Sequence, residues 1–504
     1  MFTLELGSKE RLIDTEASAR IARGDESVED TVVVGDLDGD GIDDAVIRSA
    51  FLLTNAAGNL GESGGVYVVY GGSGVTGKID MAKLPALVQI GTPGGDVVPV
   101  GDVDGDGLAD FLVGITRTPG CGDPSVHELG ENLQNGGAYI IYGSHTRLSG
   151  THPIGDTGVF LRDPVPCTVT GYVNRLGDID GDGKADFAIR RTPVDGSNPG
   201  TLLVFYGRSP QLSGIVDLTT TADAVITNPA RPQGSPSGAR TGDVDGDGVD
   251  DFMIVAQIAV DVGGNTMDTR LVRGSATRLS GTHALDDLGV TQFLVRTCID
   301  APEIDALGDL DGDGADDFAL SSCVRGTYGG DIDIKNSRPD TNDYHLFYGR
   351  KGGFPAQVGA DEQDATLPTS HTGPSQLIGG DADGDGIPDL ILADVGLHDF
   401  NGAVHLLRGK TGVRLSGVVD PVARSFVTYV GEPLREDQPC VTSSCSLGEA
   451  LGWGGIAVGD VTGDHHVDLL IGAPTYISLP AKGGPIEKTL ARVYVVSPPA
   501  STNP

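Results

Sequence analysis

One acidic, glycine-rich loop written seven times constrains this chain more than any other feature of its sequence. GDLDGDGIDDAVI begins at Gly35, GDVDGDGLADFLV at Gly101, GDIDGDGKADFAI at Gly177, GDVDGDGVDDFMI at Gly242, GDLDGDGADDFAL at Gly308, GDADGDGIPDLIL at Gly380 and GDVTGDHHVDLLI at Gly459. The first aspartates stand at 36, 102, 178, 243, 309, 381 and 460, so successive copies are 66, 76, 65, 66, 72 and 79 residues apart. Units of one kind with connections of variable length must fold by stacking on each other.

Each loop is preceded by a short apolar run such as TVVV (31–34) and followed by another such as FLVGI (111–115), both rich in β-formers. A third run recurs as GGVYVVYG, GGAYIIYG, GTLLVFYG, DYHLFYG, GAVHLLRG and ARVYVV, and a weaker fourth follows, as in TQFLVRT (291–297). Four strands per unit and seven units give the expected fold: all-β, a seven-bladed β-propeller of four-stranded antiparallel blades. The spacing is long for a solenoid coil, and a single unit buries too little to stand alone. The seventh unit ends at its third strand, ARVYVV (491–496), whereas ARIAR (19–23) stands where the other units place their fourth. The N-terminal strand is therefore expected to close blade seven, with residues 1–17 an extension, 18–497 the propeller and 498–504 a linker-like tail.

Within each loop, D-x-D-G-D-G-x-x-D sets carboxylates at positions one, three, five and nine. A glycine turn at position six lets them converge, and the position-seven carbonyl adds an oxygen, the donor set a hard divalent cation wants. The candidate ligands are Asp36, Asp38, Asp40, Ile42 and Asp44; Asp102, Asp104, Asp106, Leu108 and Asp110; Asp178, Asp180, Asp182, Lys184 and Asp186; and Asp243, Asp245, Asp247, Val249 and Asp251. The later loops supply Asp309, Asp311, Asp313, Ala315 and Asp317; Asp381, Asp383, Asp385, Ile387 and Asp389; and Asp460, Thr462, Asp464, His466 and Asp468. Four like charges within nine residues repel unless a cation offsets them. Up to seven structural Ca2+ ions are expected. Position twelve is Ile47, Val113, Ile189, Ile254, Leu320, Leu392 and Ile471, aliphatic where an EF-hand needs glutamate, so the loop closes at position nine and runs into a buried strand. In the seventh copy His465 replaces the glycine and Thr462 the third ligand. GDHHVD alone suggests a zinc or catalytic centre; in register it is a calcium loop with one carboxylate fewer, expected to empty first.

The loop, its following strand and the GAP at Gly472–Pro474 resemble the FG-GAP repeat of integrin α-subunit propellers and related bacterial surface proteins, over nearly the whole chain. The resemblance implies a calcium-stabilised binding module, integrin-like in adhesion or protein interaction. That family also holds lectin-like propellers and accessory domains of enzymes, so a carbohydrate-binding lectin is the alternative and a polysaccharide-acting enzyme the third reading.

Lys and Arg number 34 against 71 Asp and Glu, a net charge of −37, which excludes general attraction to nucleic acid or an anionic membrane. With 38% hydrophobic residues the chain is a folded, turn-rich protein and not a disordered polyanion. No apolar run is long enough to span a membrane, and MFTLELGSKERLIDTE lacks a secretory core. The six cysteines fall as neighbours, Cys121 with Cys167, Cys298 with Cys323 and Cys440 with Cys445, which favours disulfides and a secreted or cell-surface location, with the leader absent from this chain.

Long insertions at 116–135, 321–343 and 431–452 fall on the face opposite the acidic loops, as do all six cysteines. A protein or glycan ligand is expected there, bound by a monomeric propeller, and the differences among insertions favour one asymmetric protein site. No G-x-S-x-G elbow, phosphate loop or H-E-x-x-H site occurs, so the chain reads as a binder sooner than an enzyme. His345 and His405 occupy the slot of Tyr67, Tyr139 and Tyr494 and read as packing residues; His152 and His283 lie in LSGTHPI and LSGTHAL, shared architecture. The RGD at Arg23–Asp25 reads as a chance match, and Trp453, the single tryptophan, as a residue packed between blades.

Overall fold

A computed structural model describes residues 9–22, 28, 30–54, 60–89, 96–115, 136–165, 168–193, 200–228, 236–261, 264–288, 291–297, 303–324, 341–359, 362–369, 376–397, 401–431, 450–473, 477–478, 487–488 and 492–500. It is a seven-bladed β-propeller. Blade one shows the pattern: antiparallel strands Asp30–Gly35, Asp44–Thr54, Leu60–Val69 and Ala86–Gln89, with the acidic loop between the first and second. The position-twelve residues enter the core at once, each at most 3% exposed.

Every blade carries a fifth strand that the sequence did not suggest. Thr151–Pro153, which belongs to the second unit, pairs in parallel with the fourth strand of blade one, and each later unit reaches back in the same way. In six units, among the described residues, a turn of helix then leads into the unit's own fourth strand. Its first residue is an apolar plug, as at Ile154, Leu218 and Leu285, each at most 4% exposed.

The N-terminal segment is one such module. Glu10–Leu12 is the fifth strand of blade six, Ile13–Glu16 the helical turn and Ala19–Ala22 the fourth strand of blade seven, antiparallel to Arg492–Val496. The ring thus closes as the strand count required, and of the residues placed by sequence in an extension, 10–12 pair within it and 13–16 form the turn that follows. Gly77–Asp80 then adds the fifth strand of blade seven.

The core lies between blades. Val46 and Val68 of blade one pack with Phe111, Val113 and Tyr139 of blade two, and Leu470 and Val493 of blade seven pack with Ala45, Ile47 and Tyr67 of blade one. Each such side chain contributes about 1.5–3 kcal/mol on burial, so the closing contacts are substantial. The acidic loops are also tied to one another. The N–H at position eight donates to the position-one carbonyl of the preceding loop, from Asp43 to Asp460 (3.1 Å), Ala109 to Asp36 (2.8 Å), Ala185 to Asp102 (2.8 Å), Asp250 to Asp178 (3.1 Å) and Asp316 to Asp243 (2.8 Å). Pro388 has no N–H to give at that position. No helix among the described residues is long and apolar enough to cross a membrane.

Candidate metal centres

Each loop is wound around its first aspartate. Asp36 Oδ1 accepts the N–H of Gly39 (2.6 Å) and Asp40 (3.2 Å), and its Oδ2 that of Gly41 (2.8 Å). The bond to position six recurs at 2.7–2.9 Å in all seven copies. It requires a left-handed residue there: the six glycines have φ of 84–91°, and His465 takes φ 66°. Position five accepts the N–H of position seven at 2.9–3.0 Å in every loop. The seventh copy therefore keeps the winding of the others despite its two histidines.

Position nine is anchored from below. Asp44 Oδ2 accepts the N–H of Leu37 (2.8 Å) and Oδ1 that of Gly71 (2.7 Å), which joins the loop to the end of the third strand. Asp110, Asp186, Asp251, Asp317 and Asp389 repeat both bonds with Gly143, Gly207, Gly274, Gly349 and Gly409. At Asp468 the hydroxyl of Ser497 (2.6 Å) replaces the glycine N–H. These aspartates are at most 1% exposed. Burial pushes Asp44, Asp110, Asp251 and Asp389 up to about 7 and Asp186 and Asp317 up to about 8, with the neighbouring loop carboxylates adding to the rise. Burial thus disfavours the charged form of these carboxyls, and a counter-cation would restore it.

The carboxylate oxygens converge. Atoms of positions one, three and nine lie within 4.8 Å of one another in Asp102, Asp104 and Asp110, in Asp178, Asp180 and Asp186, in Asp243, Asp245 and Asp251, and in Asp309, Asp311 and Asp317. In the first loop the convergent set is Asp36, Asp38 and Asp40. The position-three Oδ1 accepts the N–H of position five at 3.1–3.2 Å in loops one, two, three and five; at Asp245 and Asp383, at most 7% exposed, it is buried without a well-formed hydrogen bond. An all-oxygen, carboxylate-rich set of this kind fits a hard divalent cation and no soft metal.

A second component escaped the sequence reading. A guanidinium caps the position-three aspartate in five loops. Arg147, Arg278 and Arg414 come from the next blade and reach Asp38 and Asp40, Asp180 and Asp182, and Asp311 and Asp313; the outer contacts measure 2.5, 2.7 and 2.7 Å. Each stacks 4.9–5.0 Å over a tyrosine at the end of the third strand, Tyr70, Tyr206 or Tyr348. Blades four and six have arginine in place of that tyrosine, and there Arg273 (3.1 Å) and Arg408 turn onto their own Asp245 and Asp383. Gly353 holds the place of Arg278 in blade five's connector, and a Cβ on it would lie 1.7 Å from Arg273 Nη2.

The exceptions are informative. Loop two receives neutral Gln211 on Asp104, and for loop seven, with Thr462 at position three, the blade-one connector has Gly74 at the sequence place of Arg147. Loop three has a further cation, Lys184, 3.0 Å from Asp182. The one visible signal was the recurring RLSG at 147–150, 278–281 and 414–417.

His345 and His405 lie opposite Leu320 and Leu392, as Tyr67 lies opposite Ile47; His405 is 1% exposed and bonds Thr428 (2.9 Å). His152 and His283 bond the carbonyls of Ser149 (2.8 Å) and Ser280 (3.0 Å) in matching turns. Trp453 corrects the sequence reading: it is 39% exposed and not packed in the core. The flanking glycines explain this, because Gly452 and Gly454 both donate to Gly472 and draw the backbone inward. The RGD, residues 116–135, 325–340 and 432–449, and every cysteine except Cys323 lie outside the described residues; of Cys323 only the backbone is described, paired with Asn342. The expected disulfides and the insertion-bearing ligand face fall largely there.

No protein-family model matches the chain, and no curated protein matches it either.

Proposed function

We propose that the protein is a calcium-stabilised binding module of the FG-GAP, integrin-like kind, acting in adhesion or protein interaction outside the cytoplasm. The observation that carries the calcium half is the convergence of carboxylates in loop after loop, with the buried Oδ1 atoms of Asp245 and Asp383 poorly hydrogen-bonded. Positions one, three, five and nine and the position-seven carbonyl would hold the ion. It supplies charge neutralisation, and the protein's own bonds to positions one and nine fix the oxygens beforehand. Function as a binder is supported by the propeller itself, a rigid ring that offers loops on two faces. The ligand is proposed to bind the face opposite the acidic loops, and the cysteine spacing supports an oxidising location.

Thermal melting in calcium and in excess chelator tests the proposal. Each site occupied at a hundredfold excess over its Kd adds about 2.7 kcal/mol, so several sites together raise the melting temperature by many degrees. An unchanged melting temperature would sink the calcium reading.

A further inference from the structure

Between blades five and six, on the face of the acidic loops, lies a cavity of about 480 Å³ lined by Leu310, Tyr348, Leu390, Leu407, Val413 and Leu415 together with Phe426 and four cations: Lys9, Arg408, Lys410 and Arg424. Among the described residues no carboxylate lines it, in a chain of net charge −37.

The repeat supplies an internal control. Arg208, Arg350 and Lys410 are equivalent: each follows the glycine after the third strand and donates its N–H to the preceding loop, to Val103, Val244 and Leu310, at 2.8 Å. Asp223, Asp364 and Phe426 are equivalent too, each donating from just before the fourth strand to Val204, Leu346 and Leu406 at 2.9 Å. In blades three and five the two positions neutralise one another, Arg208 with Asp223 at 2.5 Å and Arg350 with Asp364 at 3.8 Å. In blade six the cation remains and its acid has become a phenyl ring. Among the described residues neither Lys410 nor Arg424 forms an ion pair. Lys9 Nζ is held across the cavity by the carbonyls of Ala423 (3.0 Å) and Ser425 (2.7 Å), and Arg408 lies 4.3 Å over the Phe426 ring.

We infer that this cavity binds a compact organic anion, a carboxylate borne on a ring or short apolar body. Lys410 and Arg424 would take the carboxylate through charge-assisted bonds, and the leucine, valine and phenylalanine walls would cover the body. The volume lies in the range of small-ligand sites. Inorganic phosphate would satisfy the cations but leave those walls against water. The inference does not rest on calcium in the loops.

Glucuronate and phenylacetate, with glucose and inorganic phosphate as comparators, are titrated calorimetrically against the full chain in calcium and again in chelator at a temperature where it remains folded. Saturable binding of either carboxylate supports the inference; glucuronate alone assigns the site to an acidic saccharide, phenylacetate alone to an apolar acid. Phe426→Asp restores the acid that blades three and five carry at this position. It should weaken binding about tenfold or more, as should Lys410→Gln with Arg424→Gln. No carboxylate binding, phosphate binding as tight as either carboxylate, or an unchanged Kd in Phe426→Asp would overturn it.

Discussion

Exchanging the guanidinium caps should reorder the calcium affinities of the loops. Loop three has four carboxylates but two cations on them, Arg278 and Lys184, whereas loop two has four carboxylates and the neutral Gln211. Loop seven has three carboxylates and a glycine, Gly74, at the sequence place of Arg147, so its formal charge equals that of loops one and five once their arginines are counted. Loop three, and not loop seven, then becomes the first to empty. A guanidinium roughly 6 Å from a divalent ion, at an effective dielectric of about 40–80, opposes binding by about 1.4–2.8 kcal/mol. The high dielectric suits Arg278, which is 42% exposed. Arg278→Gln should therefore tighten one site by roughly ten- to a hundredfold, and Gln211→Arg should weaken another by a similar factor. Counting ions retained by native mass spectrometry across buffered free calcium resolves both changes. An Arg278→Gln protein that holds its ions no more tightly, or a Gln211→Arg protein that holds them as tightly as before, would refute the reasoning.

Metal-free protein should lose stability as pH rises. Asp44, Asp110, Asp251 and Asp389 sit near 7 and Asp186 and Asp317 near 8 when folded, against about 4 unfolded. The folded state therefore holds more protons between those values, and stability present at pH 4 drains by up to about 1.4 kcal/mol per site per pH unit until pH passes 8. Melting in chelator at pH 5.5 and 8 checks this, with the higher melting temperature expected at 5.5. Gly353→Ala should destabilise by about 1–3 kcal/mol, since φ is 83° and the new methyl meets Arg273; denaturant unfolding measures it. Deleting residues 1–22 removes the fourth strand of blade seven and the fifth of blade six, and should abolish the cooperative melting transition.

The ring and its closure were legible because the acidic loop recurs in fixed register with an aliphatic residue at position twelve. Ile47 and its six counterparts are all buried, so one motif located two strands per blade. The fifth strands were not legible. They are two to four residues long, owe their place to backbone pairing with the preceding blade, and leave Ile215 52% and Val418 79% exposed, so no apolar alternation marks them. The caps were hidden by distance: Arg147 meets aspartates more than a hundred positions earlier, and RLSG carries no sign of what its arginine touches. Trp453 misled because an aromatic in an apolar run normally fills the core; here Leu451 does so at 0% exposure, and the backbone drawn in by Gly452 and Gly454 leaves the indole outside.

The central claim is that the acidic loops bind divalent ions as part of the folded ring. Elemental analysis of the protein, equilibrated with calcium and freed of unbound ion by dialysis, counts them directly. The account predicts about seven calcium ions per chain, one for each loop, and a count near zero would contradict it.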